Sequence, residues 1–357
     1  MEFRNLGEQL LAVAKHEKSR VLDPRLAQVE KRAAVTPAGA SEAVPSEGGF
    51  LVAPEFSRDL FKRAYNTGQI LKRCFEMPMK GGNTLKFPAI SETSRASGSR
   101  MGGVQTFWEK EGETLNVPSG TYNGYTMKPG FEQAELTAKK LTGLLALTDE
   151  LAMDTDAFDA WANYAFSQEL AFTIENAIIN STGAGTLRGI LTAPALVSVA
   201  KQSGQAAGSI VGLNVTGMVK SLWAASRMDA IWLYNQQALD QLMTLQLVVG
   251  SGGSQANLWQ NALEPGMPDM LAGIAAYPSE YCQAPGTPGD LILADFKRYA
   301  VGIREWRGDV SIHVLFNADG QMFKFVVRMD GMPVDQAPVT PLYGTNKTSP
   351  FVALAAR

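Results

Sequence analysis

The chain has 357 residues, of which 45% are hydrophobic and 19% are charged. This length and composition fit one large or two ordinary folded domains and exclude an intrinsically disordered chain. The 32 lysines and arginines nearly balance the 35 aspartates and glutamates, and the formal net charge is −3. Strong binding of nucleic acid without regard to sequence needs a large excess of cations, so this class is excluded and only a weak contact remains possible.

The N-terminal segment predicts a short helix on a tether. Phe3, Leu6 and Leu10 recur at spacings of three and four residues, as on one face of an amphipathic helix. Residues 33–49, AAVTPAGASEAVPSEGG, are small or proline and predict an extended arm with little apolar area to bury. The helix is expected to dock either on a neighbouring molecule or on the body of its own chain.

A long excursion follows the start of the globular part at Phe50. Residues 80–90, KGGNTLKFPAI, predict a short strand, and the alternating residues 131–148, FEQAELTAKKLTGLLALT, predict its return. The segment between them is dense in serine, glycine and threonine. We therefore expect a two-stranded excursion, and because an isolated hairpin is marginal in water, it should lie on something outside itself.

Residues 154–182 carry the strongest helix pattern, with apolar residues recurring every three or four positions. Asp154, Thr155 and Asp156 provide N-capping oxygens, and Gly183 and Gly185 end the pattern. Beyond it, VTGMVKSLWAAS and QQALDQLMTLQ predict helices, AIWLYN predicts a buried strand, and DLILADFKRYAVGIR predicts a strand followed by a turn. Residues 309–334 predict a β-hairpin whose turn runs from Asn317 to Gly320.

Catalytic or metal-binding chemistry is hard to assemble from these residues. Two histidines, His16 and His313, and two cysteines, Cys74 and Cys282, are too few for a multi-histidine or cysteine-rich zinc site, and the cysteines are expected to be reduced. The glycine-rich residues 183–189, GAGTLRG, superficially resemble a phosphate-binding loop but follow a helix, so a helix-ending turn is the simpler interpretation.

Two further features keep alternative interpretations open. An acidic group could bind a hard divalent cation or simply cap the long helix; it comprises Asp149, Glu150, Asp154, Asp156 and Asp159. Trp108, inside the polar sequence FWEKEGE, is either a local packing anchor or an aromatic that is buried between subunits. We predict no catalytic residue, no metal site, no cofactor and no membrane segment.

Taken in order along the chain, several segments resemble the major capsid proteins of tailed bacteriophages with the Hong Kong ninety-seven fold. The resemblance runs from about Glu47 to Leu354. Its carriers are GGFLVAPEF, FWEKEG, LTAKKLTGLLALTDELAMD, ENAIINSTGAGTLRGIL, GDLILADFKRYAVGIR, FKFVVRMDGMPVDQAPV and the final SPFVAL.

The resemblance implies an α+β fold with an N-terminal arm, an E-loop hairpin, a peripheral domain with a long spine helix, and an axial domain. The implied bounds are 1–49 for the arm, 50–79 for the first part of the peripheral domain, 80–130 for the E-loop, 131–191 for the peripheral domain with its spine helix, 192–305 for the axial domain, and 306–357 for the returning peripheral segment. Candidate contacts between subunits are Phe3, Leu6, Leu10, Phe107, Trp108, Glu109, Glu111, Asn317 and Asp319.

The resemblance also implies a function and a set of partners. The chain is expected to assemble with itself as hexamers and pentamers into an icosahedral virion shell around double-stranded DNA, in the host cytoplasm. A portal protein is an expected partner, and separate scaffolding and decoration proteins are possible ones. With only about 49 residues before the globular part, no fused scaffolding domain is expected.

Two questions stay open within this interpretation. Some members join subunits by a lysine–asparagine bond assisted by a glutamate, but the matching hairpin positions here look like Gln321 and Arg328, with Asn317 nearby, so a non-covalent shell is predicted. The alternatives are a cellular nanocompartment shell of the same fold and a cytoplasmic enzyme that uses a divalent metal.

Overall fold

The computed structural model describes residues 68–79, 82–90, 92–96, 108, 111, 131–148, 155–249, 254–262, 266–311 and 320–357. The helices are α1 (Thr155–Asn180), α2 (Gly212–Ser221) and α3 (Leu239–Met243). The strands are β1 (Phe75–Pro78), β2 (Thr84–Ile90), β3 (Phe131–Thr137), β4 (Lys139–Thr148), β5 (Val197–Val199), β6 (Ile231–Tyr234), β7 (Gln246–Val249), β8 (Ser254–Asn257), β9 (Trp259–Gln260), β10 (Asp269–Leu271), β11 (Ile274–Pro278), β12 (Leu291–Ala294), β13 (Tyr299–Ser311), β14 (Gly320–Pro333) and β15 (Phe351–Leu354).

One half of the molecule is a four-stranded sheet covered by the long helix. The strand order is β1-β13-β14-β4, with β1 parallel to β13 and the other pairs antiparallel. Helix α1 packs on this sheet through Phe166, which contacts the Phe325 ring at a centroid distance of 4.3 Å. Gly143 of β4 lies against the Phe166 ring, and a Cβ added there would be in ordinary van der Waals contact with the ring at 3.4 Å.

The α1 prediction is confirmed almost to the residue. The helix covers Thr155–Asn180, against a predicted pattern over 154–182, and Leu170, Ile174 and Ile178 are among the apolar residues that enter the core. Gly183 and Gly185 follow with φ of 88° and 73°, values that side chains with a Cβ seldom adopt. The glycine-rich residues 183–189 therefore form a turn after a helix, as the simpler interpretation held.

The second half is a seven-stranded mixed sheet in the order β5-β15-β12-β6-β11-β10-β9. Its central strands are buried on both faces, since alternate residues belong to different cores. In β6, Ile231 and Leu233 face the α1 side, whereas Trp232 and Tyr234 face the side covered by α2. A strand that is buried on both faces reads as a continuous apolar run, which is why the sequence predicted β6 correctly.

Three segments differ from their predictions in extent. Helix α2 ends at Ser221, because Leu222 adopts an extended conformation before a separate 3₁₀ turn at 224–226. The predicted helix at 236–246 is shorter, a 3₁₀ turn followed by the five residues of α3. Finally, β15 pairs with β5 and β12 in the seven-stranded sheet, although its sequence was grouped with the returning peripheral segment 306–357.

The C-terminal hairpin is present as predicted in its two long strands. Strand β13 pairs antiparallel with β14 from Tyr299↔Pro333 to Ser311↔Met322, with one irregularity between Ile303 and Glu305. The predicted turn residues Asn317 and Asp319 lie outside the described residues. So do His313, the arm, the segment from Phe50 to Thr67, and most of the excursion between β2 and β3.

Candidate functional site

The predicted excursion begins as a two-stranded ribbon, β2 paired antiparallel with β3 from Thr84↔Thr137 to Ile90↔Phe131. Its side chains alternate, as the sequence predicted. Ala89, Ala134 and Leu136 are buried, while Lys86 and Glu135 face outward and lie 3.7 Å apart as a cross-strand ion pair. The inner face rests on a small third core that includes Met79 and Ala300. The ribbon is thus anchored at its base.

A first junction fixes the returning strand. The carboxylate of Asp330 in β14 accepts a hydrogen bond from the Thr137 backbone N–H at 2.8 Å and pairs with the Lys139 ammonium at 3.1 Å. The same ammonium donates to the carbonyl oxygens of Gly183 at 3.0 Å and Thr186 at 2.5 Å. Asp330 is buried, so this pair joins the ribbon, the four-stranded sheet and the turn after α1 at one point.

A second junction fixes the outgoing strand. The backbone N–H of Arg95 donates to the Thr340 carbonyl at 2.8 Å, and the Thr340 N–H donates to Thr93 at 3.0 Å. The Arg95 guanidinium lies 4.9 Å from the Trp223 ring, and that of Arg298 lies 5.3 Å from it. Two cations on one indole, each near a carboxylate of its own, hold the chain to the body up to residue 95.

Sequence reasoning missed both junctions. Lys139 and Asp330 lie 191 positions apart, and each reads locally as a charge on the solvent face of a strand. Trp223 was predicted inside a helix, where an aromatic reads as core. The usable signal was the pair of adjacent lysines in the otherwise apolar stretch 136–148, of which Lys139 is half-buried.

Of the predicted contact residues, the structure describes Trp108 and Glu111. Trp108 is 104% exposed and Glu111 is exposed, so a local packing role for Trp108 finds no support in the described part of the chain. The other predicted contacts, Phe3, Leu6, Leu10, Phe107, Glu109, Asn317 and Asp319, lie outside it.

A buried carboxylate holds the entry of the chain into the body. Glu175 in α1 accepts hydrogen bonds at Oε1 from the backbone N–H groups of Ile70 at 2.6 Å and Leu71 at 2.9 Å. Gly68 allows this approach, since a Cβ there would lie 2.4 Å from that oxygen. Burial raises the pKa of Glu175, and the two backbone donors and Tyr281 only partly offset it. A cavity of 420 Å³ opens beside it, lined in part by Phe172 and Tyr281.

A larger groove, which we call the basic groove, lies between the segment Lys72–Phe75 and the seven-stranded sheet. Its volume is 690 Å³, and its apolar lining includes the exposed side chains of Phe75, Met228 and Met270. Its charged lining is mostly basic: Lys72, Arg73, Arg227 and Lys297, with Asp229 as the acid. Lys297 pairs with Asp229 at 2.6 Å, and the Arg73 guanidinium donates to the Tyr277 hydroxyl at 3.0 Å.

The described residues offer little that catalysis could use. They contain no cluster of three or more histidine, cysteine or acidic side chains suited to a metal ion. Both cysteines are buried, and burial raises the thiol pKa of Cys282 to about 12 and that of Cys74 further still, which leaves them protonated. The acidic group, for which cation binding was an alternative to helix capping, falls mostly outside the described part. Within that part, no helix combines the length and apolar character that a bilayer span requires.

The chain resembles solved capsid structures over most of its length. The match to the capsid chain of a native GTA particle covers 95% of this chain and 97% of that one, with a TM-score of 0.55 at 16% identity. For an empty GTA particle the coverage is 81% and 90%, with a TM-score of 0.54 at 17% identity. A chain of Mycobacterium phage Bobi matches with a TM-score of 0.50 at 15% identity, over 81% and 90%. At identities this low, the structural likeness shows the fold alone.

The family follows from the sequence itself. No match was found among curated proteins. The model of the phage capsid family, in contrast, matches residues 48–343, most of the chain and nearly the whole span over which the resemblance was predicted. The α+β capsid fold is therefore confirmed, and together these comparisons point to a structural protein of a virion capsid shell. The chain belongs to the phage capsid family.

Proposed function

We propose that this chain assembles as hexamers and pentamers into a closed icosahedral shell that encloses double-stranded DNA. The observation that carries the proposal is the β2–β3 ribbon. It leads to an excursion of 40 residues between Ile90 and Phe131, and the anchoring contacts that the described residues make are at its base, around Asp330 and Trp223. A segment of that length on a two-stranded base gains its stability from another molecule.

The charge of the chain suits a container. A net charge of −3 provides no broad electrostatic attraction to phosphates, so packaged DNA would be held without being bound tightly. Obligate assemblies bury several thousand Å² per subunit, which is enough to order segments that cannot fold alone. We accordingly assign Trp108 and Glu111 to contacts between subunits, together with the arm residues Phe3, Leu6 and Leu10.

In this proposal the excursion 80–130 is the E-loop, the four-stranded sheet with α1 is the core of the peripheral domain, and the seven-stranded sheet is the core of the axial domain. Phe107 and Glu109 on the E-loop, and Asn317 and Asp319 on the hairpin, meet neighbouring subunits. The shell is non-covalent, assembles in the host cytoplasm, and receives DNA through a portal protein. A separate scaffolding protein and a decoration protein are possible further partners.

Expression of the chain, followed by size-exclusion chromatography and negative-stain electron microscopy, tests the proposal. Closed particles or capsomer rings in the void volume are expected. DNA inside particles from infected cells, rather than a protein cargo, distinguishes a virion shell from a nanocompartment. A chain that stays monomeric, even when a capsid scaffolding protein is expressed with it, would overturn the proposal.

Boiling the particles in detergent tests the non-covalent prediction. The expected result is a single band of monomer size, because the matching hairpin positions are Gln321 and Arg328 and neither provides a carboxylate. A covalent dimer band that resists reduction would contradict it.

A further inference from the structure

The basic groove combines two properties that together specify an occupant. Its apolar part is exposed: Met228 is 92% exposed and Phe75 is 51% exposed. Asp229 is already paired with Lys297, so Lys72, Arg73 and Arg227 leave the groove net positive. An exposed apolar surface with a basic rim fits a short segment that carries both an aromatic side chain and carboxylates.

The chain itself contains such a segment. Residues 107–113, FWEKEGE, place two adjacent aromatics beside three glutamates and one lysine. The predicted N-terminal helix is a poorer match, because residues 1–20 carry four basic and three acidic side chains, and their net positive charge opposes that of the groove. Charge thus favours the excursion over the arm.

Within a single chain, both Trp108 of the segment and the apolar part of the groove are exposed. Trp108 is fully exposed, and so is most of Met228, so neither is buried by the chain to which it belongs. The tether is long enough to leave that chain. Among the described residues, Arg95 is the last one before Trp108 that is bound to the body, and the 13 residue steps from Arg95 to Trp108 span at most about 43 Å when fully extended. A contact with a second copy therefore meets no obstacle of length.

We propose that residues 107–113 of one subunit dock in the basic groove of a second copy of this chain. Trp108 inserts between Met228 and Phe75, and Glu111 lies against Arg227 at the rim. This inference rests on the proposed shell and identifies the surface that receives the excursion. Aromatic burial and opposite charge then act together, the first for affinity and the second for the choice of groove.

Disulfide trapping tests the contact in assembled particles. The variant pairs Glu111→Cys with Met228→Cys, in the full chain and under mild oxidation. Cys282 is buried outside the groove and can remain, whereas Cys74 lines the groove, so Cys74→Ala is included in every variant and control. The matched control pairs Glu111→Cys with Met243→Cys, another exposed methionine that lies outside the groove. A disulfide needs the two Cα atoms within about 7 Å, which makes the link specific to contact.

The expected result is a ladder of dimers and larger species that collapses on reduction, absent from the control and from each single variant. A link confined to the monomer would show docking within one chain and overturn the proposal. Particles that form without any link would also overturn it, while leaving the shell function intact. Failure of the parent chain to assemble would instead remove the shell function itself.

Charge exchange provides a second measurement that does not depend on a disulfide, should the double cysteine variant fail to fold. Arg227→Glu and Glu111→Arg are each expected to lower particle yield by about tenfold, and their combination is expected to restore it. Because both positions are exposed, neither change should alter the unfolding of the unassembled chain. Single defects that add up in the double variant, with no rescue, would overturn the assignment of Arg227 to Glu111.

Discussion

The seven-stranded sheet and the β2–β3 ribbon use charge in opposite settings. In the sheet region, Arg357 and Asp290 form a bidentate pair with both side chains fully buried, and the Arg357 Nε donates to the Ser209 carbonyl at 2.5 Å. In the ribbon, Lys86 and Glu135 form a pair that is about half exposed. The first region is closed upon itself, whereas the second is stabilised at its base and extends away from it. The difference separates a self-sufficient core from a part that, in the proposed shell, is completed by a neighbouring subunit.

Removing one partner of the buried pair should give the largest effect. Asp290→Ala leaves the Arg357 guanidinium buried and unpaired and also removes the acceptor of the Gly286 N–H, so we expect a loss of about 3–5 kcal/mol in the free energy of unfolding. Urea unfolding of the unassembled chain, followed by tryptophan fluorescence, measures it. Lys297→Ala, which breaks an exposed pair, is the control and should leave the midpoint nearly unchanged. Equal losses in the two variants would contradict the comparison.

The first junction should give the next largest effect, confined to the ribbon. Asp330→Ala removes the acceptor of the Thr137 N–H and the partner of Lys139, for a loss of about 2–3 kcal/mol. Hydrogen exchange should speed up in β2 and β3 and stay unchanged in β6 and β12. Asp330→Asn keeps an acceptor for Thr137 and should have a smaller effect. Faster exchange throughout the seven-stranded sheet would show that the two regions are not separate.

The second junction should contribute less. Trp223→Leu removes the ring beneath two guanidinium groups, and we expect a loss of about 1 kcal/mol. The measured quantities are the unfolding midpoint and hydrogen exchange at Thr93, Arg95 and Thr340. Trp108→Leu is the matched control, because that fully exposed ring should not matter to the unassembled chain and should matter to particle yield. A reversed order of the two effects on stability would contradict this assignment.

The smallest effect concerns pH. The pKa of Glu175 in the folded chain is raised above its ordinary value of 4.5, so the folded state holds this proton more tightly than the unfolded state does. Its contribution to stability is therefore fully present below 4.5 and is lost as pH rises through the folded pKa. Glu175→Gln keeps an acceptor for the two backbone N–H groups and should flatten the dependence of the unfolding midpoint on pH across that interval. An unchanged pH dependence in the variant would contradict the role of this carboxyl.

Local pattern predicted those elements that are defined by their own residues. Helix α1, the doubly buried strand β6 and the alternating ribbon were confirmed, because apolar periodicity encodes which face is buried. Short strands such as β9 and β10 were not predicted, since two or three residues are too few to show a hydrophobic periodicity. The shorter α3 has the same origin: the apolar residues after it fit a helix or a strand equally well.

The contacts that anchor the excursion could not be predicted, because they join distant positions. Asp330 and Lys139 are ordinary charges until β14 and β4 become neighbours, and Trp223 gains its role when Arg95 and Arg298 reach it. Trp108 was singled out from its sequence as a large aromatic in polar surroundings, and the structure places its side chain fully exposed. Its role between subunits remains a proposal.

Strands β3 and β4 are separated by Ala138 alone, which is buried and whose backbone N–H bonds the Asn83 carbonyl at 2.8 Å. No flexible linker between β3 and β4 could therefore extend when a force pulls on the excursion. The load passes from β3 through Ala138 directly into β4, and from Asp330 into β14, where it shears rows of backbone hydrogen bonds that must yield together. In a shell under internal pressure, each subunit would carry tension from its neighbour along the strands of the four-stranded sheet.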